Sequence, residues 1–127
     1  MNRTFLLAGA VAGLVAVGFG AFGAHGLRGR LTPEMLAVFE TGVRYQMYHA
    51  LALLLVAALA PHVHGKADMA YRAAGWLFVA GIVLFSGSLY LLAVTGVTIL
   101  GAITPIGGVA FLAGWAVLIV TGLRAQG

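Results

Sequence analysis

Most of the side chains that could do chemistry gather in one stretch, Arg44-Tyr45-Gln46-Met47-Tyr48-His49, directly before an apolar run at 50–60. Together they offer a guanidinium group, two phenols, an amide and an imidazole. Such groups can bind an anion, line a small polar cavity or relay a proton. Because ionisable residues are rare inside long apolar helices and often functional there, His49 is the first residue to consider.

His49 and Arg44 also have structural interpretations, which the sequence favours. A histidine in an apolar helix can be held by hydrogen bonds to Ser86, Ser88 or a backbone carbonyl, rather than line a cavity. Arg44 can contact a lipid phosphate or an anionic cargo. It can also pair with Glu40 one helical turn earlier and extend its head group to water, and we expect this simpler role.

Metal and cofactor binding find little support in the sequence. His62 and His64 form an isolated His-x-His pair, and two ligands do not make a metal site. His25 and His49 are expected on the same side of the fold and could approach one haem iron, but no other motif accompanies them. We therefore expect no metal and no cofactor.

Catalysis finds equally little support. Ser86-Gly87-Ser88 has no acid or catalytic histidine motif near it, and hydrogen bonding between helices explains it better. There is no Gly-rich phosphate loop, and no Asp or Glu follows Asp68. The chain has no cysteine, which excludes disulfides and thiol nucleophiles. We expect no catalytic residues and a non-enzymatic protein.

The composition indicates which solvent surrounds these residues. Of 127 residues, 62% are hydrophobic and 8% are charged, whereas soluble domains carry about 25% charged residues. So few charges could not cover a fold of this size in water, so the bilayer must be its solvent. The net charge of +4 comes from cations that are scattered singly. That pattern argues against nucleic-acid binding and suits contacts with anionic lipid headgroups.

Four apolar stretches, at about 4–24, 42–60, 73–94 and 105–123, are long enough to cross the bilayer as helices. The first resembles a signal peptide, but its apolar run is longer than a signal core, and we expect it to be retained. We predict an all-α integral membrane protein, a single domain over 1–127, with four transmembrane helices in a compact bundle. Thr32-Pro33-Glu34 predicts a helix start. The second helix therefore has a polar, interfacial beginning, which either continues into the span or bends near Gly42.

Four spans place both termini on one side of the membrane, and this determines where the polar residues meet. The end of span one, the start of span two, the end of span three and the start of span four share a side. Because polar groups are costly in lipid unless they have partners, we expect one cluster in a single leaflet half, here called the polar layer. Its predicted members are His25, Arg44, Tyr45, Gln46, His49, Ser86, Ser88, Tyr90 and Thr104.

Small residues recur at every fourth position of the first span. They are Ala8, Ala12, Ala16, Gly20 and Ala24. Such a stripe lets helix backbones approach closely in lipid, where packing replaces the hydrophobic effect. We expect this face to pack tightly, and the stripe favours a protein that associates with other helices.

Four motifs, in this order, relate the chain to a known family. They are Gly20-Ala21-Phe22-Gly23-Ala24-His25-Gly26-Leu27, Thr41-Gly42-Val43-Arg44-Tyr45-Gln46-Met47-Tyr48-His49-Ala50-Leu51-Ala52, Leu84-Phe85-Ser86-Gly87-Ser88-Leu89-Tyr90 and Ile103-Thr104-Pro105-Ile106-Gly107-Gly108. With them, the chain resembles the small membrane proteins catalogued as domain of unknown function 423, which include bacterial inner-membrane proteins and the animal transmembrane protein 256. The resemblance covers nearly the whole chain. It implies a small multi-span membrane protein and supplies no accepted activity.

We predict a small integral membrane protein that is not an enzyme and that self-associates or serves as an accessory subunit of a membrane complex. The alternative is a binding or transport module for a lipid headgroup, a quinone-like molecule or a small solute, with Arg44, Gln46 and His49 as contacts. The expected partners are the lipid bilayer and a homo-oligomer or larger complex. The resemblance implies the bacterial inner membrane, and a small excess of cations favours cytoplasmic termini.

Overall fold

Four helical spans make up almost all of the protein. The computed structural model describes residues 1–125, and within that range it contains no β-strand. The helices are α1 (Arg3–His25), α2 (Pro33–Leu59), α3 (Lys66–Gly81), α4 (Gly87–Thr95) and α5 (Thr104–Arg124). A π-helical turn, Ile82–Ser86, joins α3 to α4, so that Lys66–Thr95 is one continuous third span. The predicted all-α fold with four helices able to cross a membrane is confirmed.

Local sequence signals explain where α2 begins and how it continues. The Thr32 side chain accepts a hydrogen bond from the Met35 backbone nitrogen at 3.1 Å, and Pro33 is the first helical residue. From there α2 runs past Gly42 to Leu59 as one helix. The polar beginning is therefore continuous with the span, which is the first of the two forms that the sequence allows.

The helices extend beyond the apolar stretches from which they were predicted. The second begins at Pro33, ahead of the apolar stretch at 42–60, and the third begins at Lys66, ahead of the stretch at 73–94. Hydropathy detects the part of a helix that lies in hydrocarbon. Backbone hydrogen bonds continue the same helix into the polar region beyond it, where charged side chains can reach water.

α1 lies along α2 with small residues at the contact, among them part of the stripe that the spacing predicts. A Cβ atom on Gly9 would lie 2.9 Å from the Ala50 carbonyl oxygen, and one on Gly20 would lie 3.4 Å from Val43. Ala16, on the same face, is buried. In lipid, such close contact is the main source of attraction between two helices.

α5 packs along the third span through glycines. A Cβ atom on Gly114 would lie 2.6 Å from the Phe78 ring. Gly107 lies against the backbone of Phe85 in the π-helical turn, where no side chain would fit. The two helix pairs, α1 with α2 and α5 with the third span, join where α2 contacts α3, the π-helical turn and α4.

Much of the outer surface of the spans is apolar and exposed. Leu14, Leu112 and Leu123 are 75%, 72% and 81% exposed. In the most apolar 18-residue stretch of each of the four spans, only 22%, 39%, 28% and 22% of the residues are buried within the protein. Such a surface suits a lipid environment, because hydrocarbon can cover these side chains without the cost that water would impose.

This packing predicts different effects for two neighbouring glycines. Gly107→Ala would drive a methyl group into the Phe85 backbone, so the free energy of unfolding should fall by roughly 1–3 kcal/mol. On Gly108 a Cβ atom would lie 3.8 Å from the Phe85 ring, which is an ordinary contact. Since alanine is the better helix former, Gly108→Ala should leave stability unchanged or raise it. Unfolding in mild detergent, followed by circular dichroism, measures both, and equal effects would contradict the packing.

Candidate functional site

The imidazole of His49 uses both of its nitrogen atoms within the bundle. Nδ1 lies 2.7 Å from the Tyr45 backbone oxygen, and Nε2 lies 3.0 Å from the indole nitrogen of Trp115. A carbonyl oxygen can only accept and an indole N–H can only donate. His49 therefore carries its proton on Nδ1, donates it to Tyr45, and accepts from Trp115 at Nε2. This arrangement defines a neutral ring that connects α2 to α5.

Aromatic rings enclose His49 on the sides that its hydrogen bonds leave open. The Phe111 ring is stacked on it, with centroids 3.6 Å apart and an angle of 8° between the planes. The Phe78 ring lies 5.4 Å away, and His49 is only 4% exposed. To gain a proton or bind a metal at Nε2, the ring would have to break its bond with Trp115. The geometry therefore suits a structural link better than a proton carrier.

Gln46 joins three helices through its amide. Its Nε2 atom donates to the Ala12 carbonyl oxygen in α1 at 2.8 Å, and its Oε1 atom accepts from the Tyr90 hydroxyl in α4 at 2.6 Å. Gln46 is buried and lies in the middle of α2. A primary amide in lipid needs such partners, because hydrocarbon supplies none. The same two bonds fix the positions of α1 and α4 relative to α2.

The two serines of the Ser86-Gly87-Ser88 motif reach different helices. Ser86, fully buried at the end of the π-helical turn, donates to the Gly42 carbonyl oxygen at 2.7 Å. Ser88 lies 2.9 Å from the Phe85 carbonyl oxygen and 2.6 Å from the Thr104 hydroxyl. The Thr104 hydroxyl also lies 3.5 Å from the Leu100 carbonyl oxygen. Since each hydroxyl has one proton, the shorter contacts favour Thr104 donating to Ser88 while Ser88 donates to Phe85. These bonds hold the third span to α2 and to the start of α5.

The structure thus brings seven of the nine predicted members of the polar layer into hydrogen-bonded contact with other spans or with one another. Six of them are Tyr45 (through its backbone), Gln46, His49, the pair Ser88 and Thr104, and Tyr90. Ser86 is the seventh and bonds to a backbone oxygen. His25 and Arg44 remain outside, exposed on α1 and α2. The layer reaches all four spans, since Ala12 lies in α1 and Trp115 in α5.

Arg44 does not have the partner that the sequence predicts. Within residues 1–125 the ion pair formed is Arg72 with Asp68, at 3.0 Å, and not Arg44 with Glu40. Glu40 and Arg44 instead line a shallow recess beside Phe39. The exposed guanidinium can bond to water or lipid headgroups. An ion pair with Glu40 would therefore add little to the stability of the helix.

Sequence reasoning treats Trp115 only as an interfacial or packing aromatic and misses its role as the partner of His49. The partners expected for His49 were Ser86, Ser88 or a backbone carbonyl, and the carbonyl of Tyr45 is indeed one of the two. The serines bond elsewhere, and the side-chain partner lies in the middle of α5. A signal existed: Phe111 and Trp115 are four residues apart and so share one helix face, and an indole N–H in lipid needs an acceptor.

Aromatic side chains of the layer also line an open recess between α2 and α5, with a volume of about 420 Å³. Tyr45, His49, Phe85, Phe111 and Trp115 are among its walls. The surface is almost entirely carbon, because the polar atoms of His49 and Trp115 bond to each other. Among residues 1–125, no three His, Cys, Asp or Glu side chains are placed to hold a metal ion.

Fold and site together define a small four-span helical membrane protein whose polar side chains join its own helices. Comparison with known proteins agrees with this class. Residues 19–108 match the family model described as "Protein of unknown function (DUF423)". The chain belongs to this family, as its motifs indicate.

Curated relatives cover nearly the whole chain. UPF0382 membrane protein YwdK of Bacillus subtilis (strain 168) is 53% identical over 122 residues, which are 96% of this chain and 98% of the relative. UPF0382 membrane proteins of Staphylococcus epidermidis and Staphylococcus haemolyticus are 49% and 46% identical, each over 98% of this chain and 99% of the relative. No solved structure matches the chain.

Replacing one tryptophan tests the link between α2 and α5. Trp115→Phe keeps an aromatic ring but leaves the buried Nε2 atom of His49 without a donor, so the free energy of unfolding should fall by about 1 kcal/mol or more. In ¹⁵N NMR spectra of histidine-labelled protein, the Nε2 resonance of His49 should shift.

The matched control is Trp76→Phe, because Trp76 is 56% exposed and packs on Phe5 through its ring. It should leave the His49 resonance in place. If Trp115→Phe moves neither stability nor the Nε2 resonance, the hydrogen bond between Trp115 and His49 is absent in the membrane.

Proposed function

We propose that this protein is not an enzyme and that it works by packing against further transmembrane helices, as a self-associating protein or an accessory subunit of a membrane complex. The observation that supports this most directly is an open apolar groove between α1 and the third span, described below. The polar layer also supports this proposal, because its hydrogen-bonding groups bond to other residues of the bundle. A nucleophile with a neighbouring base, the minimum for most catalysis, does not occur in the layer.

Aromatic contacts join α1 to the third span on either side of the groove. Phe5 contacts Trp76 with ring centroids 5.5 Å apart, and Phe19 contacts Tyr90 at 5.0 Å. Between these contacts lies an apolar groove of about 430 Å³. It is lined by Leu7, Ala8, Val11, Ala12 and Val15 of α1, Gln46 and Leu53 of α2, and Val79, Ile82 and Val83 of the third span.

The walls of this groove suit a helix better than a disordered lipid chain. Ala8 and Ala12 are small and four residues apart, which allows a close approach. Val11, Val15 and Val83 are β-branched and stiff, so they lose little freedom when a neighbour packs on them. The small-residue stripe of α1 is therefore divided: Gly20 packs against Val43 of α2, whereas Ala8 and Ala12 line the groove.

A pair of valine substitutions tests the proposal. Val83→Trp would fill the groove, and Val94→Trp, in the same span but outside the groove, is the matched control; the two valines are 64% and 60% exposed. Crosslinking in native membranes and native mass spectrometry in mild detergent should show oligomers or a co-purified subunit for the wild type. Val83→Trp should weaken this association about tenfold, or ~1.4 kcal/mol, and Val94→Trp should not. Monomers under every condition, or equal effects of both substitutions, would contradict it.

The alternative function, binding of a lipid headgroup, quinone-like molecule or small solute at the polar layer, has one observation in its favour. The aromatic recess beside His49 could hold a flat ring by stacking. Against it, the amide of Gln46 and both nitrogens of His49 are engaged, and Arg44 lies apart. The same mass spectra would show a retained quinone or lipid mass, lost on Trp115→Phe, if this alternative held.

We also propose the bacterial inner membrane, with both termini in the cytoplasm. The support is an excess of cations on the side of the termini. Arg3, Lys66, Arg72 and Arg124 are on that side, against Arg28, Arg30 and Arg44 on the other.

Single cysteines test this orientation, because the chain has none of its own. A membrane-impermeant maleimide should label Ala24→Cys in intact cells and Ala125→Cys only after permeabilisation; both alanines are exposed. The reverse labelling pattern would overturn the proposed orientation.

A further inference from the structure

A basic recess lies at the end of the bundle where a loop connects α2 to α3, away from the polar layer. Its volume is about 430 Å³, and it is lined by His62, His64, Gly65, Lys66 and Arg124. Four of these five residues carry a cationic or imidazole side chain. No carboxylate of residues 1–125 is among its walls. The nearest acid along the chain, Asp68, is paired with Arg72 at 3.0 Å.

The loop between α2 and α3 directs both histidines to this recess. Val63 has an extended backbone (φ −117°, ψ 120°), and its side chain is buried in the core. His62 and His64, on either side of Val63, are both exposed and line the recess. Gly65 then turns the chain with φ +61°, a value that glycine adopts readily, so that α3 begins at Lys66.

Backbone hydrogen bonds and a neighbouring helix complete the arrangement. The Val63 nitrogen donates to the Ala60 oxygen at 3.4 Å, and the Ala67 nitrogen donates to the His64 oxygen at 3.3 Å. These bonds hold the loop in place. Since α5 runs along the third span, its last residue, Arg124, arrives beside Lys66 at the start of α3. Three separate elements therefore bring basic side chains to one recess.

We propose that this recess is a binding site for a phosphate group. Guanidinium groups match the oxygen geometry of phosphate in a bidentate fashion, and the lysine ammonium adds a point charge. Imidazole N–H groups of His62 and His64 supply further donors at the same recess. The loop sequence from His62 to Lys66 does not predict the site by itself, because Arg124 comes from a helix about 60 residues away in the chain.

The position of the recess suits the phosphate of an anionic lipid in particular. The recess lies where two spans end, at the level at which headgroups meet a membrane protein. Exposed apolar side chains nearby, such as Leu59 and Leu123, would contact the acyl chains. A soluble phosphate compound offers the same chemistry at the same place, and the experiment separates the two sources.

The test uses the full chain purified in mild detergent and two matched double variants. Lys66→Gln with Arg124→Gln removes two charges from the recess, and Arg28→Gln with Arg30→Gln removes two exposed charges from the other end of the bundle. In the lipid arm, native mass spectrometry measures retained phosphatidylglycerol. In the soluble arm, calorimetry measures binding of inorganic phosphate to delipidated protein.

We expect the variant of the recess to bind about fivefold more weakly or worse, ~1 kcal/mol, in at least one arm, while the control variant binds as the wild type does. Loss in the lipid arm alone identifies a membrane lipid, and loss in the soluble arm alone identifies a soluble phosphate. His62→Gln with His64→Gln should weaken the same arm. Equal weakening by both double variants would mean general surface charge and overturn the proposal, as would no binding in either arm.

Discussion

The hydrocarbon core of a bilayer offers no hydrogen-bond partners, so each polar side chain of a span must find its partner inside the protein. The amide of Gln46 and the imidazole of His49 meet this requirement with atoms from three other spans. The bundle depends on these bonds for its helix order, because lipid-facing leucines pack equally well against any neighbour. Tyr71 is an exception: its buried hydroxyl has no partner within residues 1–125, and it lies near the beginning of α3.

Glycine contacts and polar hydrogen bonds contribute differently to the packing of the helices. At Gly9, Gly107 and Gly114, a missing side chain allows a neighbouring backbone or ring to come close. The polar hydrogen bonds determine which faces meet. Dispersion forces supply the attraction, since water is not displaced when two helices associate in lipid. Hydrogen bonds then supply the specificity, which apolar surfaces alone do not have.

The use of polar groups inside the bundle determines which surfaces remain for function. With its polar groups used in the centre, the protein presents apolar surface along its sides and charge at its ends. The groove between α1 and the third span is a lateral surface, and the basic recess beside Lys66 is an end surface. The proposed association with helices and the proposed phosphate site are therefore compatible, because they lie on different parts of the molecule.

Much of the candidate site followed from span order. Counting four spans predicted that Gln46, Ser88, Tyr90 and Thr104 share one leaflet half, without naming pairs. The structure pairs Tyr90 with Gln46 and Ser88 with Thr104. Trp115 was missed because a leaflet-half argument considers only helix ends and leaves out the middle of α5. His25 and Arg44 were included wrongly in the hydrogen-bonded set because the same argument locates a residue along the membrane normal and does not say which way it faces.

The sequence by itself determined that the chain is an all-helical membrane protein with four spans, because composition and the length of apolar runs depend on the bilayer alone. It also determined the small-residue face of α1, since that pattern lies within one helix. Only the tertiary structure decided the partners: His49 with Trp115, Gln46 with Ala12, Ser86 with Gly42, and Arg124 beside Lys66. These contacts depend on how each helix is rotated about its axis against the next. That rotation is decided by packing of all four spans together, and no single stretch of sequence contains it.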